Sequence, residues 1–253
     1  MKHILTFLFI LLCGHIAIAR TVDIGYTPHG LPFDEEKGDK LIGGLIYDIA
    51  SLIVSTAKLE PVFHSLPVNR IEDFLASGHI QMLCLYNPNW LTFPEHFTWG
   101  PALLRQREFF IIRQQDEDIT HYEQLKSFNI GSHLGYIYSD TLMSLFDDGK
   151  ATRISRRSTA ELYKLIQLKR VNVIIDNDYS FFYLKRQGKA NGLQLASLID
   201  NIYPLHCALS QKKPKLNKEL LSAINIIANQ NDVTKVLTHY KQYLPSSANR
   251  TPN

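Results

Sequence analysis

The apolar residues of this chain switch repeatedly between a period of two and a period of three to four, and that switching restricts the fold more than any single motif. Residues 22–24 have the short apolar pattern of a strand. Residues 45–57 carry apolar side chains at 45, 46, 49, 50, 52 and 53, as one face of a helix does. Residues 61–64 read as a strand, 71–76 as a short helix and 80–85 as a buried strand. This β-α-β-α-β order predicts an α/β sheet with helices on its faces. The grammar then repeats: strands over 109–112 and 128–130, helices over 139–146 and 160–168, a fully apolar strand over 171–175, and a helix over 179–186 ended by Gly188. A strand at 205–209 and amphipathic helices over 216–228 and 233–243 follow. The Ser/Asn/Pro-rich stretch from 245 is expected to fray.

The N-terminus sets the expected compartment. Lys2 precedes an apolar run over 4–13, and Ala17-Ile18-Ala19 supplies a small-x-small cleavage site, so 1–19 reads as a signal peptide and the mature chain is expected to begin near Arg20. The run is too short to span a bilayer, which takes about 20 apolar residues. Cys13 follows the bulky Leu11-Leu12, where a lipidation box wants small residues.

The whole chain has 27 Lys and Arg against 24 Asp and Glu, and the leader removes Lys2 and no acid, leaving a nearly neutral protein without the charge density that nucleic acid demands. Basic residues at Arg153, Arg156, Arg157, Lys169 and Arg170, and at Lys212, Lys213, Lys215 and Lys218, fit solvated faces. Cys84 and Cys207 each lie in an apolar strand-like run and either pair or stay as two buried thiols. With no Cys-x-x-Cys and no His-x-x-x-His, neither zinc nor any other cofactor is expected.

The order of several short phrases carries a family likeness. Pro32-Phe33, then Gly43-Gly44-Leu45 with Asp48-Ile49-Ala50, then Leu75-x-Ser77-Gly78-x-Ile80, an aromatic-Pro segment over 97–101, and Leu125-Lys126 with Ile130-Gly131-Ser132 together resemble the family 3 extracellular solute-binding proteins. The resemblance covers nearly the whole mature chain. It implies the two-lobed type II periplasmic-binding-protein fold: two α/β lobes joined by two crossovers, with a small molecule, commonly an amino acid, captured between them. Lobe 1 would be 20–105 plus 205–244, lobe 2 would be 106–204, and hinges would lie near 105–108 and 199–204. It also implies a monomer in the periplasm, partnered by a small-molecule ligand and by a membrane permease or a receptor's outer domain.

Candidate ligand contacts fall at strand ends. Tyr86-Asn87-Pro88-Asn89-Trp90 leaves the carboxyl end of the strand over 80–85, where open α/β sheets bind ligands; Tyr86, Asn87, Asn89 and Trp90 are the leading candidates, although Asn-Pro also starts turns. The loop 131–135, with Ser132, lies between a strand and a helix, so its amides are candidates for an anion cradle, and Tyr136 and Tyr138 for a wall with hydroxyl handles. Arg70 is a candidate carboxylate clamp or a helix-surface ion pair. The resemblance implies an aromatic wall at Phe33. At Asn177 and Asp178 it implies an ammonium contact, with a helix N-cap as the structural alternative for Asp178.

Departures from the family pattern bear on the ligand. The Thr-x-x-Arg phrase that grips an α-carboxylate is absent after Tyr86, and Gln81 and Asn172 stand where an Asp commonly follows Gly-x-Ile. The expected ligand is a small polar solute, an amino acid or a related compound, and these departures count against an ordinary α-amino acid. The chain carries no Gly-x-Ser-x-Gly elbow, P-loop or Gly-x-Gly-x-x-Gly. Because some proteins of this fold are dehydratases of small carboxylic acids, that activity is the alternative reading, with His133 and Asp178 as its acid/base pair. A stand-alone sensory or protein-interaction module is the other.

Overall fold

The structure, a computed structural model, describes residues 20–230 and 232–240. The expected leader and the expected tail lie outside the described residues. In chain order the first half holds β1 (Thr21–Tyr26), a hairpin of β2 (Glu35–Lys37) and β3 (Lys40–Gly43), α1 (Leu45–Thr56), β4 (Glu60–Ser65), α2 (Val68–Ser77), β5 (Met82–Tyr86) and β6 (Phe97–Trp99). The second half holds β7 (Leu104–Arg113), β8 (Asn129–His133), α3 (Asp140–Asp147), β9 (Thr152–Arg156), α4 (Thr159–Gln167), β10 (Val173–Asn177) and α5 (Asp178–Arg186). The 18-residue β11 (Leu193–Ser210) then leads into α6 (Pro214–Asn229) and α7 (Asp232–Tyr240).

The strands follow the order β4-β1-β5-β11-β7-β10-β8-β9, with β6 against β11. Each end of this path is parallel, β1 beside β4 and β5 in one lobe, β8 beside β9 and β10 in the other. The middle is antiparallel, because β11 runs along β7 from Leu193 to Leu205 and continues along β5 from His206 to Leu209. One strand therefore belongs to both lobes, and 105–108 and 201–204 lie side by side as its paired neighbours.

Period-two alternation fills both faces of each lobe. In β7, Phe110 and Ile112 join Val173, Ile175 and Leu142 under α3, while Ile111 joins Ile174, Leu162 and Ile166 under α4 and α5. In lobe 1, Ile24, Ile49, Ile53 and Ile224 pack under α1 and α6, and Ile71, Leu75, Ile80 and Leu83 under α2. Complete burial of a side chain such as Ile49 contributes about 1.5–3 kcal/mol.

Two local features aim the chain at the cleft. Gly44 has φ 100°, and a Cβ there would meet the Phe33 carbonyl at 2.4 Å, so only glycine lets 32–33 dock on the start of α1. The first α1 amides, Leu45 and Ile46, donate to the carbonyls of Pro32 and Phe33 at 2.9 Å, which fixes the Phe33 ring. Cys84 and Cys207 are directly opposed on β5 and β11 and form a buried disulfide, closing a span of 123 residues that holds all of lobe 2.

The strands differ from the sequence expectation in several places. β6, β9 and the β2–β3 hairpin are strands that the patterning did not indicate, and β7 and β11 run well beyond 109–112 and 205–209. β9 reads Thr-Arg-Ile-Ser-Arg at the sheet edge, where Ile154 is its lone apolar side chain and no alternation develops.

Candidate functional site

A cavity of about 50 Å³ lies where the strand ends of the two lobes face each other. Lobe 1 supplies Thr27, His29, Phe33, Tyr86 and Trp90, with Ile46, Val68 and Leu85 behind them. Lobe 2 supplies Gly135, Tyr136, Ile137 and Asn177, and Gln106 reaches it from β7 beside the crossover. Five of the sequence candidates, Phe33, Tyr86, Trp90, Tyr136 and Asn177, meet in this lining.

The rings form a connected set. Trp90 stands edge-on to Tyr86 and to Tyr203, each at 5.2 Å, and Phe33 lies 5.8 Å from Tyr179 of the other lobe. His29 stands edge-on to Tyr136 at 5.6 Å, and the Tyr136 hydroxyl makes a short hydrogen bond to His29 Nδ1 across the cleft. Thr159 Oγ1 donates to the His29 carbonyl at 2.9 Å, a second bridge between lobes. Although His29 keeps some surface at the rim, its ring is enclosed: burial and the neighbouring His133 push the imidazole down to about 3. Burial likewise holds the Tyr86 and Tyr136 phenols above their ordinary range.

Behind the lobe 2 wall sits a buried polar network. Asp176 Oδ1 accepts from the Asn177 amide at 2.8 Å, from Asn177 Nδ2 at 3.1 Å, and meets His133 Nε2 at 3.3 Å. The His133 ring stacks on Tyr136 at 4.8 Å. Gln106 Nε2 donates to Glu108 Oε1 at 2.6 Å. Burial, reinforced by the Asp176 carboxylate, holds the Glu108 carboxyl well above the usual carboxylate range. Arg153 donates to Ser132 Oγ and to the carbonyls of His133 and Tyr136 at 2.7–3.1 Å, and so sets the loop that carries Tyr136.

The other candidates stand elsewhere. Arg70 is exposed on α2, its guanidinium 5.5 Å over Phe74, and outside the cavity lining. Asn87 is buried and ties the end of β5 to β11, Nδ2 donating to the Pro204 carbonyl at 2.7 Å and Oδ1 accepting from the Asn89 amide. Asn89 itself is exposed in the turn Pro88–Trp90. Ser132 is buried against Ser155 and Arg153, and the Tyr138 hydroxyl accepts from the His133 amide at 3.0 Å.

The expected anion cradle over 131–135 does not form. The amides of His133, Leu134 and Tyr136 are spent on Tyr138, Arg156 and His133, and Gly131 sits within β8, where a Cβ would meet Ile174 at 2.7 Å. Asp178 does not cap α5: Asn177 does, accepting from the Ser180 amide at 2.9 Å. Asp178 pairs with Arg107 at 2.9 Å instead. The pair expected of His133 and Asp178 does not form: His133 meets Asp176 instead, because the parallel β8–β10 register sets these two side chains beside each other on one sheet face. The sequence reading missed His29 and Gln106. His29 was findable as the polar residue just past β1; Gln106 lay hidden in a stretch read as a crossover.

Among the described residues, no three His, Cys, Asp or Glu side chains gather as a metal site, and no helix is long and apolar enough to cross a membrane.

No family model matches the chain, and no curated protein matches its sequence. Solved structures do. An ancestral arginine-binding protein bound to arginine superposes with a TM-score of 0.73 at 16% identity, over 87% of this chain and 97% of that one. A histidine kinase sensor domain with similarity to periplasmic binding proteins gives 0.72 at 14% identity, over 89% and 98%. An ancestral amino acid-binding protein, a precursor of cyclohexadienyl dehydratase, gives 0.71 at 13%, over 89% and 96%. This is the architecture that the sequence phrases resemble, and with its shared β11 and facing strand ends the chain has the two-lobed fold of the periplasmic binding proteins.

Proposed function

We propose that this protein is a solute receptor of the family 3 type that closes its two lobes over a small molecule and releases it unchanged. The observation that carries the reading is the cavity between facing strand ends, lined from both lobes and walled by Phe33, Tyr86, Trp90 and Tyr136. A ligand touching both walls stabilises the closed state over the open one by its differential contacts, and that difference is the signal. The reading places the mature protein in the periplasm as a monomer, delivering solute to a membrane permease or reporting it to a receptor's outer domain. The buried disulfide fits an oxidising compartment.

The test is a thermal-shift screen of the mature protein against amino acids, amines, small carboxylates and neutral solutes, with the ligand recovered and analysed. A saturable rise in Tm with the solute unchanged supports the receptor. Product formation instead supports the second reading, a dehydratase-like enzyme, which one observation favours: the buried Asp176–His133 pair stacked against the cleft residue Tyr136. A blank across all classes removes both.

A further inference from the structure

We propose that the solute held in this cleft is an organic amine cation without a carboxylate, recognised by the faces of the aromatic wall and by the Gln106 amide. The inference rests on the receptor reading and specifies its ligand class.

The first observation concerns charge. Among the described residues, no Lys, Arg, Asp or Glu side chain lines the cavity. An amino acid zwitterion brought there would lose the hydration of its carboxylate and find no guanidinium or ammonium in exchange, which is unfavourable for a buried ion. Arg70, the sequence candidate for a carboxylate clamp, is exposed over Phe74. Arg107 and Arg153 are engaged behind the wall, with Asp178 and with backbone carbonyls.

The second observation concerns what a cation would meet. Phe33, Tyr86, Trp90 and Tyr136 line one small cavity, and a cation held against aromatic rings is attracted by their electron-rich faces, the more so as water is excluded. Carboxyl groups stand one layer back: Glu108 holds Gln106, and Asp176 holds Asn177, so both amides in the lining are backed by acids. Through these hydrogen bonds each acid fixes the orientation of the amide that faces the cavity.

The third observation is a set of unused polar groups. Gln106 is 5% exposed, and with Nε2 given to Glu108 its Oε1 takes no hydrogen bond among the described residues. The Tyr86 hydroxyl also has no such partner, and Thr27 Oγ1 is buried with none. A buried hydroxyl such as that of Thr27 is ordinarily satisfied. Acceptors at Gln106 and Tyr86 suit the N–H donors of an ammonium.

The test uses one carbon skeleton in four charge states. Phenethylamine, phenylalanine, phenylacetate and phenethyl alcohol are titrated into the mature protein by calorimetry, alongside a series of aliphatic amines from methylamine to spermidine. The expected result is binding of at least one amine, with a Kd at least tenfold tighter than its matched amino acid, acid and alcohol. Gln106→Leu should weaken that amine at least tenfold while leaving the Tm without ligand within a few degrees. Equal or tighter binding of the amino acid, acid or alcohol overturns the amine assignment and leaves the receptor reading standing. Binding of other solutes with no amine bound does the same. Silence across every solute class overturns the receptor reading with it.

Discussion

The two walls of the cleft are built on opposite plans. Lobe 1 meets the cavity with rings, Phe33, Tyr86 and Trp90, held by packing and by short backbone contacts such as those from Leu45 and Ile46. Lobe 2 brings fewer groups to the cavity but stands them on a buried lattice of Asp176, His133, Arg153 and the Arg107–Asp178 pair. The difference separates two tasks that look alike in sequence. Polar residues near the cleft in lobe 2 mostly hold the backbone in place, and lobe 1 supplies more of the side chains that line the cavity.

That contrast can be broken by substitution. The largest effect is expected from Cys84→Ser combined with Cys207→Ser. Releasing a loop of 123 residues should lower stability by about 4 kcal/mol in urea denaturation. A loss below about 1 kcal/mol would mean that lobe 1 is held by packing alone. Next is Arg107→Ala, which leaves the buried Asp178 carboxylate without its guanidinium and should cost about 3 kcal/mol. An equal loss of ligand affinity with unchanged stability would move Asp178 from scaffold to contact.

Asn87→Ala comes third, at about 1–2 kcal/mol of stability, because it frees the Pro204 carbonyl and the Asn89 amide. Solute affinity should change less than it does in Trp90→Ala, and the reverse ranking would restore Asn87 as a ligand contact.

The smallest effect is on pH dependence. The folded His29 imidazole lies at about 3, below its ordinary 6.5, so the unfolded chain binds the proton first. Its stabilising contribution is full above pH 6.5 and is lost as pH falls toward 3. Asp34 works in the opposite sense: burial raises it to about 6, so its contribution is full below its unfolded value and is lost as pH rises through 6. His29→Gln removes the first of these two opposed contributions, so its Tm at pH 4 relative to pH 6.5 should rise by a few °C compared with the unsubstituted protein. An unchanged profile would place the sensitive proton outside the cleft.

Most of the sheet was legible because buried strands and amphipathic helices announce themselves by period. What escaped were β6, β9, the charged β2–β3 hairpin and the long middle of β7 and β11, where Gln106, Glu108, Asp200 and Asn201 interrupt the apolar alternation. Gln106, Glu108 and Asp200 are buried and Asn201 half-buried because β7 and β11 pair along this stretch and the fold covers them, a condition that no local window contains. The site was half legible for a related reason. Sequence places Tyr86, Asn87 and Trp90 together at a strand end, but only the fold turns Tyr86 and Trp90 into the cavity and Asn87 toward Pro204. Gly131 and Ser132 looked like loop residues because glycine also marks close packing, here of β8 against β10 and α4.

β11 carries a mechanical consequence. It is riveted to β5 at Cys207 and pinned by Asn87 at Pro204, so its lobe 1 end cannot swivel. Its pairing with β7 slips register between Leu195 and Ile199 and again between Ile199 and Asn201. Residues 196–201 are therefore the stretch of β11 least regularly tied to its partner, and torsion between the lobes is expected to be taken up there.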